Sequence, residues 1–222
     1  MPFRFTEGAT MSAFTGKVAS QCLEEFKRFK NGKGRENVDP FSGFVGEYWK
    51  IGLNNSNING KTTFQDKNGK PFRPAWSAAF ISFIMRKAGA GNAFFYHEGH
   101  IHYVVKAIRD AKAADAAAKF LGRDPSKHVP KVGDIINAGR GASKNATFAN
   151  VLSKYGKKSV PDGNFMPSHS DIVTSVDPTK RQLTTIGGNV DVDTVGSKIW
   201  KLNADGTLVK GPSLICVIEC LL

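Results

Sequence analysis

The stretch SHSDIVTSVDPTKRQLTTIGGNV, residues 168–190, decides the fold class. Two runs rich in β-branched residues, SDIVTSV and QLTTIGG, flank the turn-forming DPTK, so the spacing predicts an antiparallel hairpin centred near residue 179. Working outward, PKVGDIINAG (130–139), SKIWKLN (197–203) and PSLICVIE (212–219) are further short β-like runs separated by Gly, Pro, Asp and Asn. Before residue 130 the pattern changes to a helical period. Residues 13–30 align Val18, Cys22, Leu23 and Phe26 on one stripe, an amphipathic helix stopped by NGKG. Residues 77–88, SAAFISFIMRKA, are apolar almost all round and closed by Gly89, which predicts a centrally buried helix. A further helix is expected over roughly 99–121. Residues 34–75 read as irregular, with Tyr48-Trp49 as an aromatic anchor and, in INGKTTFQDKNGKPFRP, a short hairpin or an ordered loop with two Asn-Gly turns. Helices first and then a strand meander predict one α+β domain.

The composition narrows the function classes. The chain has 222 residues, a hydrophobic fraction of 41% and a formal net charge of +12, so it is long and apolar enough for a packed core. No run approaches the roughly 18 apolar residues that cross a bilayer. The opening MPFRFTEGATMSAF lacks an apolar core segment, so no secretory signal peptide is expected. Three cysteines, Cys22, Cys216 and Cys220, form neither a disulfide framework nor a metal-binding pair. The positive charge calls for an anionic partner: nucleic acid, acidic lipid or a cell-wall polymer. Between Lys127 and Lys158 seven Lys and Arg face a single acid, Asp134. Nucleic acid ranks low because the basic segment lacks interleaved aromatics for base stacking.

Several residues could carry chemistry. Ser77 opens the buried helix, where unpaired backbone N–H groups and the helix dipole favour an oxyanion; a serine at that place also suits an N-cap. His169 opens a strand, where a polar neighbour could orient it as a general base. With the hairpin centred near 179, Asn189 falls opposite His169, give or take two residues. The cluster His97-Glu98-Gly99-His100-Ile101-His102 invites a metal reading, but its intervals miss the four-residue spacing of zinc-binding helices; no metal and no cofactor are expected. Asp134 reads as a cap or turn residue and Cys22 as core.

In order, WSAAFIS (76–82), PKVGDII (130–136), HSDIV (169–173) and IGGNV (186–190) resemble the papain-like superfamily of cell-wall amidases and peptidases, the CHAP and NlpC-type enzymes. Within it the chain looks closest to a bacterial branch catalogued as a domain of unknown function, which shares the Tyr-Trp anchor and the His-x-x-Tyr pair, here His100 and Tyr103. The resemblance covers roughly residues 45–200. It implies N-terminal helices packed on a C-terminal antiparallel sheet, with residues 1–44 as a helical extension and 45–222 as the hydrolase domain. Carried over, the family's cysteine nucleophile falls on Ser77, its histidine on His169 and its third residue on Asn189. Trp76, His100, Tyr103 and Arg140 would line the substrate cleft.

The implied function is hydrolysis of peptidoglycan peptide bonds by an amidase or endopeptidase, of phage-lysin, phage-tail or secreted antibacterial-effector type. Such a protein, made in the cytoplasm without a signal peptide, would act in the periplasm or cell wall after release, secretion or injection, with a phage tail or secretion apparatus as partner. The departure from the family is the serine in place of cysteine, since a hydroxyl is far less acidic than a thiol. It leaves open an inactive module that binds without cutting, for example a phage particle component.

Overall fold

A computed structural model describes residues 11–160, 166–191, 193–211 and 213–222. The first ten residues of the expected N-terminal extension, and the start of the expected strand at Pro212, lie outside them. The described residues form an α+β fold of five α-helices, a two-stranded hairpin and a six-stranded antiparallel sheet.

Helix α1 (Ala13–Arg28) begins where Ser12 accepts a hydrogen bond from the Thr15 amide at 3.1 Å, and it ends on Lys27 and Arg28, which complement the helix dipole. Helix α2 (Phe41–Leu53) stands in a region expected to be irregular. Its three glycines lower helix propensity, which hid it from the sequence. Tertiary packing explains at least one of them: a Cβ on Gly52 would lie 2.7 Å from the carbonyl oxygen of Ala79 in the next helix. The hairpin β1 (Phe64–Gln65) with β2 (Pro71–Phe72) follows, in the stretch where the Asn-Gly turns predicted it.

Helix α3 (Ser77–Ala88) occupies the predicted residues and stops at Gly89, whose φ of 95° suits glycine. Helix α4 (His100–Ala113) is shorter than expected. It terminates at Ala114 in the left-handed conformation, and the tail of the expected helix instead forms strand β3 (Phe120–Arg123). Then come β4 (Ile135–Gly139), helix α5 (Phe148–Tyr155), β5 (Ser168–Asp177), β6 (Gln182–Val190), β7 (Thr194–Lys201) and β8 (Leu214–Cys220). The sheet order is β3-β8-β4-β5-β6-β7. The predicted hairpin is β5–β6, with Asp177 paired to Gln182 and a register shift between Val173 and Ser175.

Strand alternation gives the sheet two apolar faces. Ile135, Ile172 and Ile186 join the helices in the main core, while Ile136, Val173 and Leu183 pack with Leu202, Leu208 and Val217 on the other side. The expected extension is built into the main core. Val18, Cys22 and Phe29 are buried there, and the Phe29 ring stacks on Trp76 at 5.7 Å. Leu23, expected on the apolar stripe, is exposed. Buried Glu25 accepts from the Tyr48 hydroxyl at 2.6 Å and from Arg28 at 3.0 Å, tying α1 to α2.

Candidate active site

The α3 N-terminus is the natural starting point. Trp76 is the N-cap, with φ −107° and ψ 7°, and its carbonyl accepts the Phe80 amide at 2.9 Å. The amides of Ser77, Ala78 and Ala79 therefore have no acceptor within the helix and form the positive end of its dipole. Ser77 is the first helical residue, and its side chain does not cap. Its Oγ instead hydrogen-bonds His100 Nε2 at 2.6 Å.

Trp76 is fixed from three sides. Its Nε1–H donates to the buried Glu36 carboxylate, and Phe29 and Tyr48 cover its ring. Glu36 also accepts from Arg73 at 3.2 Å. Burial raises the Glu36 pKa, and the Trp76 and Arg73 contacts oppose that rise. Glu36 escaped sequence reading because nothing in the chain marks a carboxylate 40 residues before its indole partner.

His100 begins α4 and is buried. Its Nδ1 meets the Tyr103 hydroxyl one helical turn on, which is why His-x-x-Tyr is a contact pair on a helix. Burial is the main force lowering the His100 pKa well below the ordinary value; the neighbouring His169 and Arg140 add to it. The imidazole is therefore neutral. Burial likewise pushes the Tyr103 phenol upward, so it keeps its proton. The other histidines of the cluster serve the helix start: His97 Nδ1 accepts the Gly99 amide at 2.9 Å, and its ring stacks on His102 at 3.6 Å. Among the described residues no three His, Cys, Asp or Glu side chains converge as a metal site.

His169 enters from the sheet. It lies on β5 opposite Ala138 of β4, and its ring sits 5.4 Å from that of His100, edge to face. Its Nε2 bonds Asp171 Oδ1 at 2.8 Å. Residues two apart on a strand share a face, so His-Ser-Asp carried this pair in its spacing. The orienting partner expected at Asn189 is thus Asp171. The β5–β6 pairing described ends at Ile172–Ile186, and Asn189 sits at an irregularity of β6 with φ 56°, where the strand leaves regular register.

The glycines before Asn189 explain how strand, helix and the hydrogen-bonded His169–Asp171 pair come so close. A Cβ on Gly187 would lie 1.8 Å from Asp171 Oδ1, and one on Gly188 would lie 2.6 Å from both Trp76 and Phe80. Gly187 makes room for the His169–Asp171 pair, and Gly188 admits the α3 N-terminus.

A cavity of about 500 Å³ opens on the sheet face that carries His169 and Asp171. Arg140, Lys198, Trp200, Asp191 and Ser213 also line it, and the Lys198 ammonium sits 3.8 Å over the Trp200 ring. Of the basic 127–158 segment, Arg140 reaches the cavity. Trp76 and Tyr103, expected to line the cleft, are 1% and 2% exposed. They pack behind the site because their rings are needed in the helical core. His100 is likewise a buried partner of Ser77, not part of an open wall. Asp134, just before β4, accepts from the amides of Lys131 and Cys220, each at 3.0 Å, and also contacts His128, a structural tie. Burial raises the thiol pKa of Cys22 and Cys216 far up and that of Cys220 to about 11, so all three are poor nucleophiles.

The fold and site define an α+β protein with a serine and two histidines gathered at a helix N-terminus. The chain belongs to a bacterial family described as an uncharacterized protein conserved in bacteria (DUF2272), which matches residues 42–218. Neither the curated proteins nor the solved structures yield a match to it. No helix among the described residues is long and apolar enough to cross a membrane.

Proposed function

We propose that this protein is a papain-like hydrolase of peptide bonds in the bacterial cell wall. The observation that carries the reading is the Ser77 hydroxyl at the N-terminus of α3, bonded to His100, whose ring packs against the His169 of the His169–Asp171 pair. Ser77 Oγ attacks the amide carbonyl carbon, and the serine proton passes to His169. The oxyanion is held by the free amides of the first helical turn. As the C–N bond breaks, His169 returns the proton to the leaving amine. Water then hydrolyses the acyl-serine ester, releasing the acid and restoring the hydroxyl. Arg140 and Lys198 at the cavity favour anionic substrates such as carboxylate-bearing wall peptides. The site of action is the cell wall or periplasm, with a phage tail or secretion apparatus as the route.

Incubation with purified peptidoglycan, followed by mass spectrometry of the soluble fragments, tests this. Wild-type protein is expected to release peptide-bond products, and Ser77→Ala and His169→Ala none. Equal release by all three would remove the mechanism. A second reading, a module that binds without cutting, has its own support: Ser77 is 7% exposed, and His169, not Ser77, is among the residues lining the cavity. An inert parent whose Ser77→Cys variant gains wall-degrading activity would favour it.

A further inference from the structure

His100 bonds the Ser77 hydroxyl and His169 packs edge to face on His100, and their hydrogen-bond partners give the two rings different tasks. We infer that His100 is a fixed hydrogen-bond donor to Ser77, held in its Nε2–H tautomer by the Tyr103 phenol, so that the serine proton leaves toward His169. The assignment of His169 rests on the hydrolase reading above; the tautomer of His100 does not.

A neutral imidazole has one N–H and one lone pair. At His100 two hydroxyls compete for them, Tyr103 at Nδ1 and Ser77 at Nε2. A phenol, with a reference pKa of about 10, is a far stronger hydrogen-bond donor than an aliphatic hydroxyl. It takes the lone pair, which places the proton on Nε2 and aims it at Ser77 Oγ. Asn137 pushes the same way. Its Nδ2 donates to the His169 carbonyl oxygen at 3.1 Å and to Ser170 Oγ at 2.8 Å. A carbonyl can only accept, so the orientation of the amide is fixed. With an oxygen lone pair of Ser170 engaged by Asn137, its proton is free to favour the Tyr103 oxygen, consistent with the downward pull of Ser170 on the Tyr103 pKa.

The direction of donation therefore runs from Asn137 through Ser170 and Tyr103 to His100 and ends on Ser77. An imidazole that already donates to Oγ cannot accept the proton of that hydroxyl. His169 can. Its Nε2 is committed to Asp171, which selects the Nε2–H tautomer and leaves Nδ1 as a base. His100 touches the reacting oxygen and stabilises it as negative charge develops, which makes it a catalytic residue; Tyr103 is a positioning residue.

The test is ¹⁵N NMR of histidine-labelled protein at neutral pH, with His100→Gln used to assign the His100 signals among the five histidines. His100 is expected with Nε2 protonated and Nδ1 bare; the reverse pattern, or a doubly protonated ring, overturns the inference. In Tyr103→Phe the tautomer is expected to switch, with kcat falling about 10²-fold and KM little changed. A wild-type tautomer in that variant overturns the role of Tyr103. Should Tyr103→Phe fail to fold, Ser77→Ala decides: an unchanged Nε2–H tautomer supports the phenol as the determinant, and a switch overturns it. Because the spectra need no turnover, an inert protein with the Nε2–H tautomer would remove the hydrolase reading and support the donor assignment.

Discussion

The helix side and the sheet side of the site hold their histidines in opposite ways. On the helix side, His100 is buried between two hydroxyls, and desolvation keeps it neutral. On the sheet side, His169 is paired with a carboxylate and forms part of a cavity wall. Burial without a counter-charge yields a hydrogen-bond donor of fixed geometry. A carboxylate partner yields a ring that can accept a proton and stabilise the resulting cation. Residue type alone does not distinguish these roles; the partners do.

The largest effect is expected at Ser77, the hydroxyl bonded by the helix-side histidine. Ser77→Ala is expected to lower peptidoglycan hydrolysis by at least about 10⁴-fold, read from fragment release, with a stability loss of about 1–3 kcal/mol because the buried His100 ring loses its hydroxyl partner. Next is the sheet side alone. Asp171→Asn keeps the size of the side chain but removes the charge that holds the His169 tautomer. It should cost on the order of 10²–10⁴-fold in kcat, measured on the same substrate, while the His100 NMR signature stays as in the wild type.

The helix side is probed by Glu36→Ala, which leaves the Trp76 indole N–H and Arg73 without their buried acceptor. Denaturant unfolding should show a loss of about 1–3 kcal/mol. The smallest effect is on the pH dependence of stability. The folded pKa of His100 lies below the ordinary value near 6.5, so as pH falls through 6.5 the unfolded chain takes up a proton that the folded chain refuses. Stability from this group is fully present above that range and is lost progressively toward the folded pKa. His100→Gln should flatten the slope of unfolding free energy against pH just below 6.5 relative to the wild type. An identical slope in the two proteins would show that His100 is not held neutral by folding.

Much of the fold was legible because its signals are local. Helix α3 was marked by an apolar run ending in glycine, and strands β4 to β8 by β-branched runs between turn residues. Helix α2 was hidden because it carries three glycines, poor for an isolated helix, of which Gly52 serves close packing against α3. Strand β3 was absorbed into the expected α4, because an alanine-rich segment does not announce that Ala114 will turn left-handed. At the site, Ser77 and His169 could be singled out by their places at the start of a helix and a strand. Asp171 is readable from its two-residue spacing, whereas hairpin arithmetic points to Asn189. Two irregularities, one in the β5–β6 pairing and one at the end of β6, limit such projection.

By itself, the sequence determined the α+β order, the buried central helix, the excess of positive charge and two of the site's side chains, because periodicity, turn chemistry and charge reside in short stretches of chain. Only the tertiary structure decided that Val18, Cys22, Phe29 and Phe41 join the main core, that Glu36 grips Trp76, and that His100 bonds Ser77 while His169, packed edge to face on His100, bonds Asp171. The contacts Ser77–His100, Glu36–Trp76 and His100–His169 join positions 23 to 69 residues apart. Such pairs are selected by burial and hydrogen-bond satisfaction in the folded core, where an unpaired polar group is costly, and no local pattern encodes them.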